Sequence, residues 1–228
     1  MKIALCATHL EKMILPQDRE YIGVDHGVEE LLKQGITPKF AIGDFDSLQN
    51  RQTLENLNIQ ILPERKDVTD THAAIEYAIS KGYDEIELYG VTGGRLDHFF
   101  AVMCLLEKYQ DVSIKVIDQQ NCIQLLKPGI HHIYNQEYYY FSLFALNESI
   151  LSISQAEYTL DHYLLKRDDP LCVSNEVKGD YTIIENNENI ILAQPIERHG
   201  DKVEHWKIDS EDSKISKIYE IINERKTF

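Results

Sequence analysis

The chain has 228 residues, of which 43% are hydrophobic and 27% charged, and its formal net charge is −15. These values are typical of a soluble globular protein, and roughly 70% of the unfolded surface is buried on folding at this length. They exclude collagen-like, low-complexity and wholly disordered chains. The 23 basic residues against 38 acidic ones form no basic stripe. This argues against nucleic-acid binding, which needs clustered Lys and Arg.

The cysteines and the apolar runs indicate the compartment. Cys6, Cys104, Cys122 and Cys172 form no Cys-x-x-Cys pair, so we expect reduced thiols that behave as small apolar residues. The apolar run after Lys2 is too short for a signal peptide. The longest apolar run, 99–106, is far short of the ~20 residues that cross a bilayer. We therefore predict a cytoplasmic protein with no membrane partner.

The first half of the chain alternates predicted strands and helices. The strands are expected at 2–7, 21–24, 40–42, 59–62, 86–89 and 114–117. The helices are expected at 28–35, at 48–57, from Thr69 as an N-cap, and at 97–109. This alternation predicts a Rossmann-like α/β domain with a mostly parallel sheet and helices on both faces.

The pattern changes after Lys127-Pro128-Gly129. Short segments rich in Tyr, Ile, Val and Thr follow, for example at 138–144, 158–165, 181–184 and 190–193. They predict an antiparallel β sandwich. We therefore expect an α/β domain over 1–126 and a β-sandwich domain over 127–228. Apolar residues at helical spacing near Ile218 indicate a short docking helix at the end of the chain.

Aspartates recur between the end of a predicted strand and the start of the next helix. They are Asp25, Asp44, Asp46, Asp70 and Asp97. In an open parallel sheet such positions lie outside the carboxyl edge, where ligands bind. Converging carboxylates repel each other unless a cation lies among them, and hard oxygen ligands select Mg²⁺ or Mn²⁺. Each aspartate alone is also explained as a cap of the helix that follows it. The metal-site hypothesis therefore depends on all of them occupying the same position in the strand–helix repeat.

The segment Gly93-Gly94-Arg95-Leu96-Asp97-His98 has the features of a phosphate-binding loop. Two glycines let the backbone approach a phosphate, a helix N-terminus follows, and Arg95 is a bidentate donor. Lys66 is a candidate second phosphate contact. Neither G-x-x-x-x-G-K-[ST] nor G-x-G-x-x-G occurs, which argues against a P-loop kinase and a standard dinucleotide dehydrogenase.

Asp44-Phe45-Asp46-Ser47 supports a rival hypothesis. A D-x-D after a strand resembles the nucleophile motif of haloacid-dehalogenase-type phosphatases, in which the first aspartate attacks phosphorus. That family usually has the motif on its first strand, whereas here it follows about the third. The rival also leaves Gly93 to His98 unexplained.

Four segments together resemble thiamine pyrophosphokinase of the bacterial type. They are Val24-Asp25-His26-Gly27-Val28, Ile42-Gly43-Asp44-Phe45-Asp46-Ser47-Leu48, Lys66-Asp67-Val68-Thr69-Asp70 and Gly90-Val91-Thr92-Gly93-Gly94-Arg95-Leu96-Asp97-His98. Val173-Ser174-Asn175-Glu176 is similar to the family's S-N motif. The resemblance implies transfer of diphosphate from ATP to the hydroxyl of thiamine, giving thiamine diphosphate and AMP. It also implies an α/β nucleotide domain followed by a β sandwich, and a homodimer with active sites between subunits.

The resemblance also implies roles for individual residues. Asp44, Asp46, Asp70 and Asp97 would hold Mg²⁺ and organise the triphosphate, and Gly94 and Arg95 would contact phosphates. These four aspartates and Arg95 are the catalytic candidates. Ser174 and Asn175 would hold the pyrimidine end of thiamine from the partner subunit. Asp25, Lys66, Gly93 and His98 complete the candidate substrate-binding set.

Two features depart from the family pattern or remain without a role. His26 stands where the family commonly has glycine. Histidine has less backbone freedom than glycine, so a close backbone contact at this position is in question. Trp206 has no assigned role, although an aromatic face would suit the thiazolium cation. The alternatives to the kinase are a Mg-dependent aspartyl phosphatase and a non-catalytic thiamine or nucleotide sensor. A sensor would be expected to lack the metal carboxylates, all of which are present.

Overall fold

The computed structural model describes residues 1–8, 10, 13–43, 45, 58–61, 67–135 and 139–195. Among these residues the first half forms β1 (Lys2–Cys6), β2 (Tyr21–Val24), α1 (Gly27–Lys33), β3 (Phe40–Gly43), β4 (Ile59–Ile61), α2 (Asp70–Ser80), β5 (Glu85–Tyr89), α3 (Leu96–Lys108) and β6 (Ser113–Ile117). The second half forms β7 (Asn121–Leu126), β8 (Gly129–Tyr134), β9 (Tyr140–Ala145), β10 (Glu148–Ser154), β11 (Leu160–Lys166), β12 (Asn175–Glu176), β13 (Tyr181–Asn186) and β14 (Ile190–Pro195). The expected helix at 48–57 and the segment 196–228, with Trp206 and Ile218, lie outside the described residues.

The described strands form two sheets. The larger has the order β12-β9-β14-β7-β6-β5-β1-β2-β3-β4, and the smaller has the order β11-β10-β13-β8. Strands β1 to β6 pair in parallel, whereas β7, β14, β9 and β12 continue the same sheet in antiparallel pairs. The smaller sheet is antiparallel throughout. The predicted parallel strands and antiparallel second half are therefore confirmed, and the larger sheet runs through both.

The strand order reverses at β1. The chain passes from β1 through β2 and β3 to β4 on one side, and β5 then returns to the other side of β1. Loops that leave the carboxyl ends of β1 and β5 therefore diverge and open a crevice between them. In a doubly wound sheet this crevice is where ligands bind.

One core lies between the parallel strands and the helices α2 and α3. Ile3, Leu88 and Ile86 are buried against Ala74 and Ile75 of α2. All four residues of β2 are buried, as expected for a strand covered on both faces. Thr69 caps α2, because its Oγ1 accepts the His72 backbone N–H at 3.2 Å.

A second core lies between the antiparallel part of the larger sheet and the smaller sheet. Phe141 and Leu192 of the larger sheet pack in one cluster with Leu151, Ile153 and Ile184 of the smaller sheet. Because side chains alternate along each strand, this cluster fills the inner faces of both sheets.

The four cysteines are reduced thiols. Cys6, Cys122 and Cys172 are buried, as small apolar residues would be, and Cys104 is exposed. Burial raises the pKa of the Cys6 thiol to about 12 and that of Cys172 to about 11. None of the described helices is long and apolar enough to cross a bilayer.

Candidate functional site

A cavity of about 190 Å³ lies at the point where the strand order reverses. Its lining includes residues that follow the parallel strands. Thr8 follows β1 and Asp25 follows β2, Asp70 begins α2, and Arg95 and His98 come from the segment after β5. We call it the carboxylate cavity. With Gly94, which also lines it, five candidate residues from three separate segments therefore meet at the predicted edge of the sheet.

Gly43 makes room for the carboxylate of Asp25. A Cβ atom built at Gly43 would lie 1.8 Å from Asp25 Oδ1, so a side chain at this position would displace that carboxylate. The Asp25 backbone N–H also donates to Ile42 O at 3.0 Å, which ties the end of β2 to β3. The glycine of the Gly-Asp-Phe-Asp motif is therefore explained by its neighbour across the sheet.

A close backbone contact lies at Gly27, the residue after His26. His26 has ordinary helical angles, φ −57° and ψ −19°, which need no glycine. A Cβ at Gly27 would lie 1.8 Å from Cys6 O, so Gly27 lets α1 begin directly against the end of β1. The His26 Nδ1 lies 3.7 Å from Glu29 Oε2 on the same helix.

The donor set at the cavity suits a hard cation. Asp25 and Asp70 each have one carboxylate oxygen, Oδ1, that is shielded from solvent. Asp70 is the first residue of α2, where the helix dipole favours negative charge. Asp44 and Asp46 lie outside the described residues, and the described ones alone include no group of three metal-binding side chains. Carboxylate oxygens converging in a polar cavity are the ligands that Mg²⁺ prefers.

Asp97 does not line the carboxylate cavity, but it accepts hydrogen bonds from Arg95, which does. Arg95 Nε donates to Asp97 Oδ1 at 3.0 Å and Nη2 donates to Oδ2 at 2.5 Å. The backbone N–H of His98 also donates to Oδ1, at 3.0 Å. The hydrogen bonds from Arg95 lower the pKa of Asp97 below its ordinary value. The pair is exposed, so each partner is accessible to a charged ligand.

A larger cavity of about 500 Å³ adjoins the first and shares Gly90 and Gly94 with it. We call it the adjoining cavity. Its lining combines the apolar residues Leu10, Met13, Leu96, Phe99 and Ile123 with the polar residues Thr92, Asp118, Gln119, Gln120 and Asn121. Its size and mixed lining are typical of a site for a small organic ligand.

Sequence analysis missed the turn between β6 and β7. Asp118 accepts the backbone N–H groups of Gln120 and Asn121, both at 2.7 Å, and so fixes that turn. The sequence does contain a turn signal, because Asp118 follows the predicted strand 114–117 directly and Asn121 comes three residues later.

Ser174 and Asn175 lie at the opposite edge of the larger sheet. Asn175 begins β12, which is separated from β5 by β9, β14, β7 and β6. At about 4.8 Å per strand this places β12 roughly 24 Å from β5. Neither residue lines the two cavities described above. The structure therefore does not bring them to the site of their own chain.

Three predicted site residues, Asp44, Asp46 and Lys66, lie outside the described residues. Phe45, between the two aspartates, is described and buried. It packs with Val28 of α1 and Ala41 of β3. The buried phenylalanine therefore ties the end of β3 to α1.

Comparison with known proteins identifies the family. Residues 12–117 match the family model "Thiamin pyrophosphokinase, catalytic domain", and residues 130–191 match "Thiamin pyrophosphokinase, vitamin B1 binding domain". The thiamine pyrophosphokinase of Bacillus subtilis (strain 168) is 37% identical over 166 residues, which are 69% of this chain and 78% of that protein.

Solved structures agree with this assignment. The crystal structure of the B. subtilis thiamine pyrophosphokinase has a TM-score of 0.78 at 29% identity, over 87% of this chain and all of that chain. The Geobacillus thermodenitrificans thiamin pyrophosphokinase has a TM-score of 0.78 at 28% identity, over 88% of this chain and 99% of that chain. This chain belongs to the thiamine pyrophosphokinase family.

Proposed function

We propose that this protein is an enzyme that transfers the diphosphate of ATP to the hydroxyl group of thiamine. The products are thiamine diphosphate and AMP. The observation that carries this proposal is the carboxylate cavity, where Asp25, Asp70, Arg95 and His98 meet at the reversal of the strand order in a chain of this family.

The chemistry needs positioning and charge neutralisation more than covalent help. The thiamine hydroxyl oxygen attacks the β-phosphorus, and the hydroxyl proton passes to solvent. The bond from the β-phosphorus to the oxygen that bridges the α-phosphate breaks, and AMP leaves with its electron pair. The residues of the cavity would hold the triphosphate in line for this attack.

Asp44, Asp46, Asp70 and Asp97 would hold Mg²⁺, and the shielded oxygen of Asp70 supports this. When bound, Mg²⁺ supplies positive charge that neutralises the phosphate oxygens. Asp97 would first have to leave Arg95, whose guanidinium is then available to the phosphates. Binding of the triphosphate therefore exchanges one ion pair for two new contacts.

Gly93 and Gly94 would contact the phosphates through their backbone. Gly93 has a φ of +79°, which glycine adopts without strain, and α3 begins two residues after Gly94. The nucleoside of ATP would occupy the adjoining cavity, where Gln119 and Gln120 offer amide donors and acceptors. Lys66 would serve as a further phosphate contact.

Thiamine would bind between two subunits of a homodimer. The separation of roughly 24 Å between β12 and β5 supports a thiamine site that the Ser174–Asn175 segment of the partner completes. In this proposal residues 1–126 form a Rossmann-like nucleotide domain and the chain from 127 forms a β sandwich. The matched family models, which end at 117 and begin at 130, lie on either side of this boundary.

The test is a product analysis with purified protein, ATP, Mg²⁺ and thiamine. We expect AMP and thiamine diphosphate in equal amounts, and neither product without thiamine or with a chelator. Inorganic phosphate released without thiamine would identify an aspartyl phosphatase instead. Binding of ATP or thiamine without any product would identify a sensor.

A further inference from the structure

The side chain of Gln34 holds the main chain of the loop between β1 and β2. Gln34 is the C-cap residue of α1. Its Oε1 accepts the backbone N–H of Leu15 at 2.9 Å, and its Nε2 donates to the carbonyl oxygen of Met13 at 3.0 Å. A single amide can make both bonds because it carries a donor and an acceptor side by side. We call residues 13–15 the held segment.

The end of α1 gives the Gln34 amide a fixed starting point. Leu31 O accepts the backbone N–H of Gln34 at 3.0 Å and that of Ile36 at 2.9 Å. Gly35, between the two donors, has a φ of +74°, the left-handed conformation in which helices commonly end. Leu31 itself is fully buried. Because the helix end is fixed in this way, Gln34 can position the loop that it holds.

The two hydrogen bonds keep Met13 turned toward the molecule. They fix the peptide groups on both sides of Ile14, whose side chain is 84% exposed. Leu15 and Leu10 are buried in one cluster, and Met13 packs against it. The Met13 N–H also donates to Leu10 O at 2.8 Å. Without the amide of Gln34, the held segment loses the bonds that fix the orientation of Met13.

Met13 faces the proposed nucleoside site. Met13 and Leu10 line the adjoining cavity, whereas Gln34 lines neither of the two cavities described above. A thioether is polarizable and makes favourable contacts with aromatic rings, so Met13 suits a flat aromatic base. The proposed phosphate site is the carboxylate cavity, whose lining does not include Met13. Met13 is therefore placed to contact the nucleoside and not the phosphates.

We propose that Gln34 is a positioning residue for the nucleotide, which holds Met13 at the wall of the adjoining cavity so that the thioether contacts the base. This inference rests on the proposed function, which places the nucleoside of ATP in that cavity. Gln34 acts on the ligand only through Met13. Loss of its amide should therefore weaken the binding of the nucleoside and leave the binding of the phosphates unchanged.

The test compares Gln34→Met and Met13→Ala with the control Lys33→Met. Methionine is similar in length to glutamine but has no amide, and Lys33 is the exposed neighbour of Gln34 on α1. Calorimetry measures the Kd of AMP and of inorganic triphosphate, both with Mg²⁺. A thioether–aromatic contact predicts a rise of about 2- to 10-fold in the Kd of AMP for both test variants. We expect the Kd of triphosphate to stay within about twofold, and Lys33→Met to match the wild type.

Steady-state kinetics provides a second readout. In Gln34→Met we expect a higher KM for ATP, with the KM for thiamine and kcat little changed. The double variant of Gln34→Met and Met13→Ala should bind AMP no more weakly than Met13→Ala alone, because Gln34 acts through Met13. Additive losses would show that Gln34 affects the nucleotide by another route, and would contradict the proposal.

Urea denaturation checks that each variant is folded. If Gln34→Met fails to fold, Gln34→Glu takes its place. Glutamate keeps an acceptor for the Leu15 N–H but replaces the donor to Met13 O by an oxygen. We expect the same selective loss of AMP binding in this variant.

Unchanged AMP affinity in the Gln34 variants would overturn the inference. Equal losses for AMP and triphosphate would also overturn it, because that result is what a general loosening of the protein predicts. Wild-type protein that fails to bind AMP would overturn it as well. Wild-type protein that binds AMP but forms no thiamine diphosphate would refute the proposed function alone, and the AMP affinities of the variants would still decide this inference.

Discussion

At the scale of single residues, Asp25 and Gly43 depend on each other. The carboxylate of Asp25 occupies the space that any side chain at 43 would need. Sequence analysis identified both residues within motifs, but it treated them as separate. Their dependence follows from the pairing of β2 with β3, which sets the end of one strand beside the end of the next.

Gly43→Ala should therefore disturb the carboxylate cavity. We expect strongly reduced turnover and a loss of about 1–3 kcal/mol in the free energy of unfolding, because the new Cβ must displace a shielded carboxylate. Urea denaturation and AMP formation measure the two effects. Gly35→Ala is the control, since that residue also has a positive φ, +74° against +157° at Gly43, but has open space around it. Equal behaviour of the two variants would contradict this account.

The ion pair of Arg95 and Asp97 also makes a prediction at this scale. Asp97 has a lowered pKa when folded, so the stabilisation from the pair is present above the unfolded pKa and is lost as pH falls through the folded one. In Arg95→Gln we expect the pKa of Asp97 to rise toward its ordinary value. Carboxyl NMR titration of both proteins measures this directly. An unmoved pKa would show that Arg95 does not hold the carboxylate in solution.

At the scale of elements, single residues fix where the helices beside the carboxylate cavity begin. Gly27 lets α1 start against β1, and Thr69 caps α2 so that Asp70 is its first residue. The sequence predicted these helices and the parallel strands because apolar periodicity and caps are local signals. The sequence predicted the strands β7, β8 and β10 less clearly. Which of their side chains are buried depends on the sheet that each strand joins.

Thr69→Ala removes the cap of α2. We expect a loss of about 1 kcal/mol in the free energy of unfolding and lower turnover, because Asp70 is no longer held at a fixed helix start. Thr69→Ser keeps the hydroxyl and should behave like the wild type. Denaturant unfolding and AMP formation are measured together. If Thr69→Ala and Thr69→Ser proved equally stable, the cap would have no role.

At the scale of the whole molecule, one sheet connects two distant halves of the proposed site. The carboxylate cavity lies at the reversal of the strand order, and the Ser174–Asn175 segment lies at the far edge. If the proposed site uses both parts, the Ser174–Asn175 segment has to come from a second copy of the chain. The proposed homodimer with two-fold symmetry would supply that segment to both sites.

This arrangement predicts complementation between two inactive variants. Asp97→Asn alone should lose several orders of magnitude in turnover with the fold intact, and Ser174→Trp should block the thiamine site. Co-expressed with different tags and purified as a heterodimer, they should regain about half of the wild-type activity, because one of two sites is intact. Gel filtration tests whether the proteins are dimers. A heterodimer as inactive as its parents would contradict a shared site.

The sequence by itself determined the kind of site: carboxylates at one position of a strand–helix repeat, a glycine-rich segment with Arg95, and a β-rich second half. These are local patterns, and they can be recognised from neighbouring residues without knowledge of contacts between distant ones. Only the tertiary structure decided that Gly43 makes room for Asp25 and that Asn175 holds the backbone of Tyr158. Such contacts depend on strand pairing and loop approach between residues far apart in the chain, and no spacing in the sequence records them.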